Sequence, residues 1–195
     1  MAETTRQAHD AREAILDAAA ELIRTQGATG MSIADLIARS GTSAGAIYHH
    51  FGNKQGLVLE VARRAVAGPM QSVLHTPTEG GLSPTMLLTT ALTRVVQATE
   101  TAELMIQIWA GAAAEPKLFE LLRAEGQGMR SAVELVVRHW CEREQVEADP
   151  AGVAAVLISL VMGSVVQRSL IPDFDADRYL ATATTILDAL VEPRT

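Results

Sequence analysis

The side chains with most chemistry to offer lie in two places. Cys141 sits between His139 and Glu142, placing a thiol, an imidazole and a carboxylate close together in sequence. A thiol nucleophile needs a base within hydrogen-bond reach. Residues one or two apart on a helix do not face each other, so His139 cannot serve Cys141 there and no catalytic group is expected. The second place is residues 31–57, where His49 and His50 are adjacent. Neighbouring imidazoles can ligate a metal, yet no further His, Cys or acidic residue falls at a matching helical spacing, so neither metal nor cofactor is expected. The same stretch carries the hydroxyls of Ser32, Thr42 and Ser43, which can cap helices and donate to phosphate oxygens.

The elements that position these groups read as helices throughout. Apolar residues recur with helical spacing, and no segment has a convincing period-two run, which predicts an all-α chain. A first helix over 9–25 carries Ala14, Ile15, Ala18, Ala19 and Leu22 on one face and ends at Gly27 and Gly30. Ser32 caps a short second helix that stops at Ser40 and Gly41, a third covers 43–49, and Asn53 caps a fourth running through Ala65 toward Pro69. Gly80, Gly81, Ser83 and Pro84 mark a loop and a new start. Further helices are predicted over 84–98, 102–113, 116–144, 150–170 and 175–191, with Gly126 and Gly128 as the places a bend would fall. That makes nine helices.

Two short helices joined around Gly41 and Thr42, followed at once by a longer one, suit a helix-turn-helix whose second helix enters the major groove. An ordinary helical bundle with a glycine turn shares that geometry. The chain carries a net charge of −7, and the charge is unevenly spread. Residues 1–65 hold seven Lys/Arg and seven Asp/Glu, whereas the remainder holds nine basic and sixteen acidic residues. A neutral head on an acidic body orients DNA toward the head, because the body repels phosphate. The single cysteine precludes an intramolecular disulfide and fits a cytoplasmic protein. Residues 1–10 lack the apolar core of a signal peptide. The apolar stretch 153–166 is interrupted by Ser159 and Ser164, is short for a bilayer, and reads as a buried helix, so no membrane association is expected.

The residues themselves sharpen the head. Ser32, the Ile33 and Ala34 pair, the turn Gly41, Thr42 and Ser43, then Gly45, the block Tyr48, His49, His50 and Phe51, Asn53 with Lys54, and Leu57 together resemble the signature of the TetR family of transcription regulators. The likeness covers roughly residues 10–60; beyond them only helix number and length agree. It implies a DNA-binding domain over 1–55 and a ligand-binding and dimerisation domain over 56–195. It further implies that Lys54, at a helix start, meets phosphate, where its charge adds to the backbone amides. Tyr48 and His49 then face the duplex. His50 suits a contact, a cap or packing, and Phe51 suits the core. Ala44, Gly45 and Ala46 bring no side chain for bidentate base contacts, so alanine against thymine methyls, close backbone approach at Gly45 and DNA shape must contribute to readout.

For the second domain, the resemblance implies that the last two helices pair with their copies in a two-fold dimer that matches two operator half-sites. An effector pocket would fall within helices five to eight. The residues suggested for its lining are Met86, Thr90, Met105, Trp109, Met129, Val133, Trp140, Met162 and Val166, with Gln107, His139, Gln167 and Arg168 as polar company. Such a set favours a largely apolar small molecule. The expected function is therefore an operator-binding repressor released by an effector. An architectural DNA binder without an effector is the second reading, and an all-α enzyme the third.

Overall fold

A computed structural model describes residues 2–67, 81–97 and 99–191, and among these residues it contains nine α-helices and no strand. They are α1 (Ala2–Gly30), α2 (Ile33–Ser40), α3 (Ala44–Phe51), α4 (Lys54–Ala62), α5 (Pro84–Gln97), α6 (Thr99–Ala114), α7 (Pro116–Glu144), α8 (Pro150–Leu170) and α9 (Ala176–Val191). Polar caps set most of the boundaries. Ser32 Oγ accepts from Asp35 N at 3.0 Å, Ser43 Oγ from Ala46 N at 3.2 Å and Asn53 Oδ1 from Gly56 N at 2.8 Å, each satisfying an amide that the first helical turn leaves open. Gly41 ends α2 at φ 66°, a left-handed conformation that costs glycine nothing. Asp149 caps α8 through Ala151 N, with Pro150 in the first turn.

Several boundaries differ from the expectation: α3 is Ala44–Phe51 against 43–49, and α6 is Thr99–Ala114 against 102–113. Helix α1 begins at Ala2 and extends to Gly30, although Gly27 interrupts it at φ 80° and ψ 159°. The expected stop is thus a kink, after which the chain makes one more turn. Helix α4 is α-helical only to Ala62 and continues as a π-helical turn over Arg63–Ala67; Pro69 lies outside the described residues. Helix α7 keeps its expected bounds and runs through both Gly126 and Gly128 as one element.

By contact the chain groups into two units, one of residues 1–66 with 103–123 and one of residues 67–102 with 124–195. Helices α6 and α7 carry residues of both. The expected division at residue 55 follows role, whereas contact draws α4 and these later residues into the group that holds the head. In the first unit α1 packs against α2, α3 and α4. It buries Ile15, Leu16, Ala19 and Ile23, and each short helix adds at least one fully buried anchor: Leu36, Ile47 and Leu57. Short helices are marginal in isolation, so this packing is what holds α2 and α3.

The second unit has its own core, built from Leu87, Leu88 and Leu92 of α5, Val133 and Val137 of α7, Val153, Ala154 and Leu157 of α8, and Ala183, Leu187 and Val191 of α9. Here the sequence reading of a buried α8 is corrected. The helix is long and apolar enough to cross a membrane by length and composition, with mean hydropathy 1.8, yet only 28% of its apolar window is buried. One face meets α5 and α9, while Met162, Val166 and Leu170 point outward, Leu170 at 71% exposure. Helix α9 does likewise, burying Ala183, Leu187 and Val191 and exposing Ile186 and Leu190. The two helices carry more apolar surface than one copy of the chain covers.

Candidate nucleic-acid interface

Helix α3 is anchored by one residue and open along the rest. Ile47 is fully buried, whereas Tyr48 is 50% exposed, Ser43, Gly45 and His49 are exposed, and Ala44, Ala46 and His50 are half-buried. The cap at Ser43 and the buried Ile47 fix the helix. The Tyr48 phenol and the His49 imidazole are presented outward. His49 and His50 stack edge to face with ring centroids 5.3 Å apart, and His50 leans on Phe51 at 6.0 Å. Phe51 in turn lies under the Arg12 guanidinium, 5.7 Å from the ring centroid. Among the described residues no group of three His, Cys, Asp or Glu side chains is placed to hold a metal.

The hydroxyls ahead of α3 bond to one another. Thr42 Oγ1 and Ser40 Oγ are 2.7 Å apart, Ser40 sitting at the end of α2. Ser32, on the exposed start of α2, donates to Asp35 Oδ2 at 2.6 Å and accepts from the Asp35 amide. Both caps keep their side chains at the surface. Gly45 has no internal reason to be glycine: a Cβ there would find only Ser43 Oγ, at 3.7 Å.

Lys54 behaves differently from a solvated lysine. Its Nζ donates to Thr29 O at 2.8 Å, closing the start of α4 onto the last turn of α1. The carbonyls of a helix end carry partial negative charge, and an ammonium there is favourable. An ammonium has three protons, so this bond leaves donors for a further acceptor. Nothing local in the residues signals the contact, since Thr29 belongs to the turn that follows the kink at Gly27.

Most arginines of the head are engaged inside the chain. Arg12 pairs with Glu13 at 3.3 Å and with Glu60, and Arg64 pairs with Glu13 at 3.3 Å and Asp17 at 2.7 Å. Arg24 reaches Glu21 at 2.8 Å and Glu103 at 3.2 Å. The Arg24 hydrogen bond is the main reason the Glu21 carboxyl lies below its ordinary value, with the charges of Arg24 and Arg39 adding to it against partial burial. These pairs lie on partly exposed surface, where each contributes little stability; those of Arg12 and Arg64 tie α1 to α4 and the turn after it, and that of Arg24 with Glu103 ties α1 to α6. Sequence reasoning missed Arg12, whose partners Phe51 and Glu60 lie far along the chain. An exposed arginine and a distant glutamate carry no local signature.

The residues suggested for an effector site are spread over several environments. Val133 belongs to the second unit's core, with Met129 and Trp140 half-buried against it. Thr90 is half-buried and donates to Met86 O at 2.8 Å. Met105 is buried and Trp109 half-buried on the part of α6 that groups with the first unit. Met86, Met162 and Val166 are exposed, and the last two lie on the outward face of α8, so in a single copy they line no interior. Of the polar company, His139 is exposed and Gln107 and Gln167 are half-buried. A shallow hollow of about 410 Å³ where α7 leads into α8 is lined by Arg138, Cys141, Glu142, Val146 and their neighbours, none of them among the suggested set. Burial raises the Cys141 thiol above its ordinary value, which keeps it protonated and a poor nucleophile.

Two family descriptions match this chain: bacterial regulatory proteins of the tetR family over residues 15–61, and the BetI-type transcriptional repressor C-terminal region over residues 85–192, more than half of the sequence. Among curated proteins, the chain is 28% identical over 156 residues to the HTH-type transcriptional regulator BetI of Cronobacter sakazakii, covering 76% of each. It is 27% identical to BetI of Escherichia coli K12, covering 76% of this chain and 79% of that one. Similar solved structures include Salmonella enterica GusR, with TM-score 0.76, 21% identity and coverage of 93% and 95%. A complex of SmeT with triclosan has TM-score 0.73, 23% identity and coverage of 95% and 96%. A proposed regulator from Saccharomonospora viridis in complex with choline has TM-score 0.72, 21% identity and coverage of 95% and 100%.

Proposed function

Because this chain belongs to the TetR family of bacterial regulatory proteins, we propose that it is an operator-binding repressor that reads DNA with α3 and is released by a small, largely apolar molecule. The observation that carries the reading is the capped α2 and α3 pair inside the matched residues 15–61, with Tyr48 and His49 exposed beyond the buried Ile47. In this reading Thr42 and Ser43 donate to phosphates ahead of α3, Ser32 does so at the start of α2 by turning its hydroxyl proton away from Asp35, Tyr48 and His49 reach phosphate or a base edge, and Lys54 adds charge. Ala44 and Gly45 let the duplex approach closely. The protein acts in the cytoplasm, as two copies.

Gly45 tests the interface directly. Gly45→Ala meets open space inside the chain, and alanine favours a helix interior by up to about 1 kcal/mol, so the variant is expected to melt at or above the wild-type temperature. The new methyl would occupy the space that the DNA needs. Operator affinity is therefore expected to fall by about tenfold, read by fluorescence anisotropy, a loss of the size typical of one good contact. Unchanged affinity would remove Gly45 from the interface.

The effector reading draws on Met129, Val133, Trp140 and Thr90 in the second unit, with Met105 and Trp109 as further candidates on α6. Met162 and Val166 are reassigned from the effector to the surface between copies. SmeT with triclosan and the Saccharomonospora viridis protein with choline show that similar folds hold an apolar phenol and a small cation respectively. The methionine, valine and tryptophan set favours the apolar class here. A panel of phenols, fatty acids and quaternary amines measured by thermal shift is expected to raise the melting temperature with the phenols or fatty acids, because a ligand of the folded state stabilises it by mass action. A response confined to choline-like amines would overturn the apolar preference.

A further inference from the structure

Helix α6 meets the kinked end of α1 along one narrow row. Arg24 Nη1 donates to Glu103 Oε2 at 3.2 Å. Gln107 Oε1 lies 3.3 Å from where a Cβ on Gly27 would stand, and a Cβ on Gly111 would stand 2.8 Å from Ala28 Cβ. Positions 103, 107 and 111 recur every four residues, so they share one face of α6. Ala28 is itself 3% exposed and has no open side to move into. Glycine forms helices less readily than alanine, and the close approach of Ala28 explains why Gly111 is tolerated in the last turn of α6.

One residue past Ala28, the Thr29 carbonyl accepts the Lys54 ammonium at 2.8 Å. A displacement at Gly111 is therefore two contacts away from the start of α4. Packed interiors transmit such displacements, because neighbouring atoms have little room to absorb them. We propose that Gly111 is a positioning residue: its missing side chain seats the turn 28–30, and that turn holds Lys54 where the ammonium meets DNA. The inference rests on the assignment of Lys54 to phosphate, and it adds a specific residue outside the head on which the placement of that ammonium depends.

The test is a set of full-length variants measured against the operator at several salt concentrations. Gly111→Ala is expected to weaken binding roughly 10- to 100-fold and to lower the salt slope by the same amount as Lys54→Ala, since both remove the same phosphate contacts. Combining the two is expected to be no worse than Lys54→Ala alone, because they act on one interaction. Adding Ala28→Gly to Gly111→Ala returns the space, and the pair is expected to fold and to bind within about threefold of wild type. A purely structural defect would instead add the weakening of a second glycine. Wild-type affinity and slope in Gly111→Ala, or no recovery in the pair, would overturn the role of Gly111 while leaving the operator reading intact. A wild-type protein whose operator binding ignores Lys54 would overturn both.

Discussion

Lys54→Ala is expected to weaken operator binding about 100-fold at moderate salt, because a charged hydrogen bond to phosphate is worth roughly 1.5 kcal/mol and two copies lose one each. The two lost phosphate contacts should also reduce the slope of log affinity against log salt by about 1.8. Tyr48→Ala removes a neutral donor on the exposed side of α3, so a comparable affinity loss is expected with little change in slope. The contrast in slope separates the two roles. Lys54 also bonds to Thr29 O, so its loss is expected to lower the melting temperature by a few degrees, a cost that denaturation measures separately from binding. Equal slopes for wild type and Lys54→Ala would mean that the ammonium serves only the end of α1.

Met162→Asp is expected to separate two copies of the chain. On the outward faces of α8 and α9, Met162, Val166, Leu170, Ile186 and Leu190 form an exposed apolar surface that a second copy would cover. A large apolar side chain gains roughly 2 kcal/mol on burial, and two-fold symmetry counts each substitution twice. Met162 is 46% exposed in one copy, so lost burial alone should weaken the dimer by about 2 kcal/mol, roughly thirtyfold in dissociation constant, with the buried carboxylate adding to the loss. Sedimentation should show a folded monomer, since Met162 lies outside the second unit's core. Operator affinity is expected to fall with it, because one head grips only one half-site. A dimer that persists in Met162→Asp and in Ile186→Asp would place the interface elsewhere.

The local parts of the fold were legible in the sequence wherever a single residue type decides a boundary. Ser32, Ser43, Asn53 and Asp149 cap helices as their short polar side chains predict, and Gly41 takes the left-handed conformation. The apolar spacing in α1 likewise identified its buried face, with Ile15, Ala18, Ala19 and Leu22 all buried. Long-range features were not legible. The stack of Arg12 on Phe51, the Lys54 bond to Thr29 and the fit of Ala28 against Gly111 each join residues whose proximity only the packed chain creates. The burial of α8 was misjudged for a related reason: an apolar helix covered on every side by its own chain and one with an uncovered apolar face have the same composition. For the candidate DNA interface, residue type and spacing located the exposed groups, and the structure added that neighbouring carboxylates engage Arg12, Arg24 and Arg64.

The central claim is tested most directly by selecting DNA from a random-sequence duplex library with the purified full-length protein. The expected result is enrichment of two inverted half-sites separated by about one helical turn or a multiple of it. Binding to the selected duplex should be dimeric, steeply salt-dependent and lost together in Tyr48→Ala and Lys54→Ala. Selection that enriches no sequence, or binding that survives both substitutions, would contradict the account.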